Sequence, residues 1–397
     1  MIDQKPVSLY IHIPFCLRKC LYCDFLSGRQ TEELREQYVQ ALLCEIRCQR
    51  DCPRGTEADT VFFGGGTPSV LTAAQICRIL EGLRESFRIL PDAEISLEMN
   101  PGTADAAKLQ ALRETGVNRL SIGVQSMHDE ELRLLGRIHT KEQAEEAFRL
   151  ARAAGFDNIN LDLMSALPGQ SFEKWAKTLA EAVRWNPEHI SAYSLIIEPG
   201  TPFAAMQESG TLPPLPDEET DRRMYHFTQE YLGQHGYRRY EISNYAKPGR
   251  ECMHNSGYWT GHPYLGFGTG AASCIGASRF SNCADLQTYL REMTALCSAD
   301  VSEACLSAAC PGGIRTEVQL LTKEEQIEEF MFLGLRMTEG VRTEDFYNRF
   351  GLKMEELYGK ILRGHIEKGV LERTPQGYCL TERGLDVSNY VLADYLL

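Results

Sequence analysis

The stretch Tyr10-Ile11-His12-Ile13-Pro14-Phe15-Cys16-Leu17-Arg18-Lys19-Cys20-Leu21-Tyr22-Cys23 decides the fold. Its first part ends a strand over Ser8–Ile13. Leu9, Ile11 and Ile13 share one face and Tyr10 and His12 the other, the alternation of a pleated chain. The rest is a loop that places three thiols, Cys16, Cys20 and Cys23, within eight residues. A helical stretch over 31–50 follows, and the strand-then-helix unit repeats. Further strands are expected at Thr60–Phe63, Ala93–Glu98, Arg119–Val124, Asn158–Asp162 and His189–Tyr193. Helices are expected near 72–88, 104–115, 128–154 and 171–186. Alternation of this kind predicts a parallel sheet with helices packed outside it. Six units close most of a barrel, and the thiol loop hangs at its C-terminal mouth.

The strands share one design. Ile95, Leu97 and Met99 oppose Ser96, Glu98 and Asn100. Leu120, Ile122 and Val124 oppose Ser121, Gly123 and Gln125. Ile159, Leu161 and Leu163 oppose Asn158, Asn160 and Asp162. One face suits packing against helices, while the other carries polar groups late in each strand. A barrel filled only with Val, Ile and Leu has no such face. A polar interior at the strand ends predicts a cofactor cavity.

Beyond residue 200 the pattern changes. Residues 199–216 are rich in Pro and Gly and read as a loop or hinge. A helix over 217–236 and a mixed segment to about 290 follow, then a Cys- and Ala-rich stretch, 284–313, with no motif. Helical patterns at 322–338, 343–350 and 353–369 precede a hairpin turning at Pro375-Gln376-Gly377. Helices followed by such a wing look like a winged helix. The chain therefore divides into a barrel (1–200), an extension (201–313) and a small C-terminal helical domain with a wing (314–397).

Charge and composition narrow the function. The chain has 397 residues with 41 basic against 55 acidic side chains, a net charge of −14. Nucleic acid needs a basic face, and anionic lipid attracts basic segments. The C-terminal domain thus reads as a packing or lid element rather than a DNA reader. No run of ~18 apolar residues crosses a bilayer, and MIDQKPVSLYIHIPF lacks a signal peptide's pattern. Both point to the cytoplasm. There the 14 cysteines are expected reduced, with clustered ones serving as metal ligands or redox groups. Cys44, Cys48 and Cys52 recur every four residues on one expected helix face. They read as a metal trio or, preferably, as part of a buried apolar face. Cys274, Cys283, Cys297, Cys305 and Cys310 stay unassigned. His128 and His139 read as surface or packing residues.

Three thiolates suit a cubane iron–sulfur cluster with one iron left open, as catalytic zinc keeps an open position. Arg18 and Lys19 offset its negative charge. The residues also admit a structural zinc site with His12 as fourth ligand. Phe63-Gly64-Gly65-Gly66-Thr67-Pro68-Ser69 ends the second strand, and glycines there let backbone approach a ligand, though a Gly run also makes a plain turn.

The triplet and its wording, HIPFCxxxCxYC, resemble radical S-adenosylmethionine (SAM) enzymes. The nearest pattern among them is the oxygen-independent coproporphyrinogen III oxidase family. The resemblance covers nearly the whole chain. It implies a partial (β/α)6, TIM-like radical SAM barrel and a [4Fe-4S] cluster on Cys16, Cys20 and Cys23. It further implies SAM chelating the open iron, and reductive cleavage to a 5′-deoxyadenosyl radical using a low-potential electron donor. By the same resemblance Tyr10, Gly65 and Glu98 line the cluster-bound SAM, and Glu98 accepts hydrogen bonds from ligand hydroxyls or an ammonium. Tyr22, Gly66, Thr67, Gln125, Arg137 and Asp162 match positions that hold a second SAM, so one or two are expected. There Arg137 pairs with a carboxylate and Asp162 with an amine or ribose.

The departures matter. The oxidase proper has a further cysteine two residues after the triplet; here Cys23 is followed by Asp24-Phe25. That ending resembles the haem chaperone branch. So does Cys252-Met253-His254-Asn255-Ser256-Gly257-Tyr258-Trp259, whose HNxxYW is that branch's haem-binding motif. The resemblance makes His254, Asn255, Tyr258 and Trp259 haem contacts: imidazole is a haem ligand and the aromatics stack on a porphyrin. On the residues alone, His254 also reads as a core histidine. Cys252 is an alternative thiolate ligand. Many sequences of the branch carry a histidine where Gly268-Thr269-Gly270-Ala271-Ala272-Ser273 has Ala272. The expected function is a haem chaperone that delivers haem to an acceptor haemoprotein, with the cluster and SAM supporting dimerisation or handover. Its rivals are oxidative decarboxylation of coproporphyrinogen III and a radical enzyme that opens or methylates haem.

Overall fold

The computed structural model describes residues 6–49, 52–53, 55–298 and 314–396. Part of the Cys-rich stretch, with Cys305 and Cys310, lies outside the described residues.

The six expected units are present. Strands β1 (Val7–Ile13), β2 (Glu57–Gly65), β3 (Arg88–Met99), β4 (Arg119–Gln125), β5 (Ile159–Ser165) and β6 (His189–Ser194) pair in sequence order, every neighbour parallel. Helices α1 (Glu32–Cys48), α2 (Ala73–Ser86) and α3 (Ala106–Glu114) connect the first four strands. Their starts are set by side-chain caps: Thr31 accepts from the Leu34 amide, Thr72 from Gln75 and Asp105 from Lys108. Leu9, Ile11, Leu97, Leu120, Ile122, Leu161 and Leu163 are all fully buried against the helices. The opposite row lines the lumen.

The expected helix 128–154 is two helices, α4 (Asp129–Leu134) and α5 (Lys141–Ala153). Gly136 takes φ +77° between them, a left-handed conformation that glycine adopts without strain. Thr140 then caps the second helix. The break has a function, since it turns Arg137 into the barrel mouth. Helix α6 (Phe172–Trp185) completes the barrel.

The expected loop 199–216 contains a short helix, α7 (Pro202–Glu208), started by a Thr201 cap with Pro202 in the first turn. Next come α8 (Glu218–Gln234), β7 (Arg238–Arg239), β8 (Asn244–Ala246), α9 (Met253–Thr260), β9 (Tyr264–Phe267), β10 (Ala272–Ile275), β11 (Ser278–Asn282), α10 (Leu286–Ser298) and β12 (Arg315–Leu320). These elements widen the barrel sheet at both edges. The order is β12-β11-β10-β9-β1-β2-β3-β4-β5-β6-β8-β7. Strand β9 adds parallel to β1, and β8 antiparallel to β6.

The C-terminal part holds α11 (Lys323–Gly334), β13 (Val341–Arg342), α12 (Thr343–Phe350), α13 (Met354–Glu367), β14 (Leu371–Arg373), β15 (Gly377–Leu380), α14 (Glu382–Asp386) and α15 (Ser388–Ala393). Strands β14 and β15 form the expected hairpin, and β13 joins it. This part has its own apolar core around Met331, Phe346, Tyr358 and Leu362.

Two cysteine expectations are corrected. Helix α1 ends at Cys48, so Cys52 lies beyond it rather than on its face. Cys44 is not a reduced thiol. It forms a disulfide with Cys297, their Cα atoms 6.0 Å apart, because α10 packs alongside α1.

Candidate functional site

The thiol loop is fastened at both ends. The Cys16 amide donates to the Gly28 carbonyl and the Gly28 amide to the Pro14 carbonyl, each at 3.0 Å. The Leu21 amide donates to the Leu135 carbonyl at 3.0 Å. Gly136 permits this approach, because a Cβ there would stand 2.9 Å from Leu21 Cγ. Cys16, Cys20 and Cys23 consequently face one cavity of about 480 Å³ at the C-terminal strand ends. Among the described residues, no three His, Cys, Asp or Glu side chains are grouped closely enough to hold a single metal ion. His12 is already engaged: Nδ1 pairs with the Tyr10 hydroxyl and Nε2 with the Leu26 carbonyl, both at 3.0 Å. The zinc reading with His12 as fourth ligand therefore lacks its ligand. Three thiols around one roomy cavity fit a polynuclear cluster instead.

The glycine loop is bolted to the same strand end. The Gly66 amide donates to the Ile13 carbonyl (2.9 Å) and the Thr67 amide to the Phe15 carbonyl (2.7 Å). A Cβ on Gly66 would stand 2.7 Å from the Phe15 oxygen, and one on Gly65 would enter the His12 ring. These glycines are needed for close backbone packing as much as for a ligand. The Gly65 amide donates to Glu98 at 3.2 Å.

Eight of the nine expected SAM residues line this cavity: Tyr22, Gly65, Gly66, Thr67, Glu98, Gln125, Arg137 and Asp162. Tyr10 does not; it lies one pleat deeper against His12. Burial pushes the Glu98 carboxyl up to about 8, with the Asp162 carboxylate adding to the rise. Burial also raises Asp162, although it accepts from Asn160 (2.7 Å) and Ser121 (3.1 Å). Two carboxyls in one cavity suit a ligand that brings a cation or several hydroxyls. Gln125, at φ +69°, accepts from the Tyr193 hydroxyl at 2.9 Å.

Asn100, on the polar row Ser96-Glu98-Asn100 that the alternation turns to the lumen, lines the cavity as well, and so does Tyr193, for which the sequence offers no role.

The HNxxYW motif lies elsewhere. It forms α9, which packs against β2 below the lumen-facing Phe62 and Gly64. His254 is 1% exposed. Its Nδ1 pairs with Thr60 Oγ1 (2.7 Å) and its Nε2 with the Tyr258 hydroxyl (3.0 Å). Its ring stacks on Phe62 at 4.9 Å between centroids. Burial lowers its pKa to about 3. Glu94 caps the helix, accepting from the Met253 and His254 amides. Cys252 donates to the same carboxylate, and burial pushes its thiol up to about 12. Trp259 points outward under the Arg336 guanidinium, 4.4 Å from the ring centroid; Asn255 is partly buried. His254 reaches an iron atom only by giving up Thr60 or Tyr258.

Comparisons with known proteins agree with this architecture. Residues 10–182 match the radical SAM superfamily and residues 321–387 the HemN C-terminal domain. A "Heme chaperone HemW" from Lactococcus lactis is 35% identical over 99% of this chain and 98% of its own. One from Bacillus subtilis is 36% identical over 98% of this chain and 99% of its own. The solved structure of coproporphyrinogen III oxidase (HemN) from Escherichia coli, described as a radical SAM enzyme, superposes with a TM-score of 0.83. It is 26% identical and covers 99% of this chain and 90% of that one. Given the thiol loop on β1, the parallel barrel behind it and likeness along the whole length, the chain belongs to the radical SAM superfamily and, within it, to the HemW family.

Proposed function

We propose that this protein is a cytoplasmic haem chaperone that holds a [4Fe-4S] cluster on Cys16, Cys20 and Cys23, binds one SAM beside it, and passes haem to an acceptor haemoprotein. The observation that carries this is the Cys23-Asp24-Phe25 ending, read together with full-length likeness to relatives named heme chaperones. When bound, cluster and SAM supply one-electron chemistry fed by a low-potential donor. The chain's own residues do the rest. Glu98 and Asp162 accept from the polar end of SAM, and Gly65, without a Cβ, lets this strand end close over the His12 ring beside them. A single SAM is favoured because Thr67, Gln125 and Arg137 already have protein partners.

Haem is placed at the outer rim of the mouth. Phe25 and Ile196 line the cavity and are 62% and 71% exposed. The exposed Arg18 and Lys19 stand beside them on the thiol loop. A flat apolar plate with two carboxylates matches Phe25, Ile196 and the two cations, which share the rim with Asp24 and Glu198. The floor offers no comparable surface, since His254 is enclosed.

Haem titration of the wild type, Phe25→Ala/Ile196→Ser and His254→Gln tests this reading. The rim variant should bind at least tenfold more weakly, while folded His254→Gln retains affinity. Loss of binding in His254→Gln alone would return the cargo to the motif helix. Anaerobic protein given SAM, reductant and coproporphyrinogen should form no protoporphyrinogen; its formation would overturn the chaperone reading.

A further inference from the structure

Two of the three cluster thiols are joined to each other by an unbroken path of side-chain hydrogen bonds. The Thr67 hydroxyl donates to Cys16 Sγ at 3.5 Å. The same oxygen accepts from Asn100 Nδ2 at 2.8 Å. Asn100 Oδ1 accepts from one guanidinium nitrogen of Arg137 at 2.6 Å, and the other nitrogen donates to Cys20 Sγ at 3.5 Å. Donor and acceptor roles are consistent at every step. Three strand ends contribute: the glycine loop after β2, Asn100 after β3, and β4, whose Gly123 carbonyl also accepts from Arg137. Gly123 belongs to the design, since a Cβ there would stand 2.7 Å from Asn100 Oδ1 and 3.1 Å from Arg137.

We propose that Thr67, Asn100 and Arg137 are positioning residues of the iron–sulfur centre that set its reduction potential, and that they are not ligands of a second SAM. The physics is that of donors around a metal site. An N–H or O–H aimed at a ligating sulfur, and a buried cation beside it, stabilise the state with the extra electron. Arg137 supplies both at Cys20. Thr67 supplies a neutral donor at Cys16, and Asn100 orients the two by holding each at its other end. Removing a donor therefore makes the cluster harder to reduce. The same bonds consume the hydroxyl of Thr67 and both terminal nitrogens of Arg137, leaving little to offer a second nucleoside. This inference rests on family membership and the thiol loop, and not on haem as cargo.

The test is an EPR-monitored redox titration of anaerobically reconstituted full-length protein, with iron counted in the same samples. Wild type is compared with Thr67→Val, Asn100→Leu, Arg137→Met and Arg137→Lys. Arg137→Met should shift the one-electron reduction equilibrium about tenfold toward the oxidised cluster, about 59 mV more negative. Thr67→Val and Asn100→Leu should move it the same way by less, and Arg137→Lys should recover part of the shift. SAM should bind at one per chain in the wild type and in Thr67→Val. Unchanged potentials with full iron content would overturn the proposal, as would a second SAM lost on changing Thr67 or Arg137. If Arg137→Met fails to hold iron, the two neutral variants decide: no shift in either overturns it. Haem affinity measured alongside separates this outcome from failure of the chaperone reading, which predicts none of these shifts.

Discussion

His254 shows what a single buried ring does to the pH response of the whole chain. Its ring is neutral in the folded state, bonded at both nitrogens and stacked on Phe62. Unfolded, it takes a proton near pH 6.5; folded, only near pH 3. Between those values the unfolded chain binds more protons, so stability contributed by this ring is present above pH 6.5 and falls as the pH drops. The slope approaches about 1.4 kcal/mol per unit from this residue. His254→Gln removes that titration. Urea unfolding at pH 7 and pH 5 should show the wild type losing about 1–2 kcal/mol more than the variant; equal losses would refute the account. At this scale the sequence was partly readable. Alternation placed Glu98 and Asp162 in the lumen. It placed Asn100 there too, but not its bonds to Thr67 and Arg137, which come from three different strand ends. HNxxYW was visible as a motif. Its enclosure was not, because nothing local to residues 252–259 says that Glu94 and Thr60 await it.

Among the elements, the break between α4 and α5 links chain geometry to the metal site. From sequence, 128–154 reads as one helix, since an internal glycine costs only about 1 kcal/mol against alanine. What the pattern omits is the thiol loop packed against that glycine, with the Leu21 amide on the Leu135 carbonyl. Gly136→Ala meets two penalties: a left-handed backbone worth roughly 1–2 kcal/mol, and a Cβ 2.9 Å from Leu21 Cγ. The variant should lose about 1–3 kcal/mol of stability and hold less iron per chain than wild type after equal reconstitution. Adding Leu21→Ala should recover part of the iron, because it removes the Cγ contact and leaves the tight approach to the Leu21 amide nitrogen at 3.3 Å and the left-handed backbone. Full iron in Gly136→Ala would show that loop and break are independent. The six βα units, by contrast, were legible, because each rests on local alternation and local caps such as Thr31 and Thr72. The Cys44–Cys297 pair was not, since 253 residues separate the partners and only the packing of α10 on α1 brings them together.

For the whole molecule, the question is what holds the C-terminal part onto the barrel. Helix α9 lies between them, with His254 facing into the lumen and Trp259 facing α11 and its successor turn. Arg336 covers the Trp259 ring at 4.4 Å. Nearby, Arg279 pairs with Glu329 through both guanidinium nitrogens, at 2.5 and 2.8 Å, and Arg239 reaches Glu382 at 2.9 Å. The Thr338 amide donates to the Tyr240 carbonyl at 3.0 Å. Of these contacts, the one between Arg336 and Trp259 bears on the outer face of α9, whose inner face closes the barrel floor, while the others hold the same C-terminal part to the edges of the barrel sheet, so loosening the outside should be felt inside. A cation over an indole is worth about 1–2 kcal/mol when partly desolvated, and a partly exposed bidentate ion pair such as Arg279–Glu329 about 1 kcal/mol. Arg336→Ala combined with Glu329→Gln should therefore cost about 1–3 kcal/mol in urea unfolding. Acrylamide should quench Trp259 more strongly than in the wild type, while Trp175, fully buried beneath α8 with its indole nitrogen donating to Thr228, stays protected. If quenching is unchanged in the double variant, the C-terminal part is held by its other contacts, and α9 closes the floor without its help.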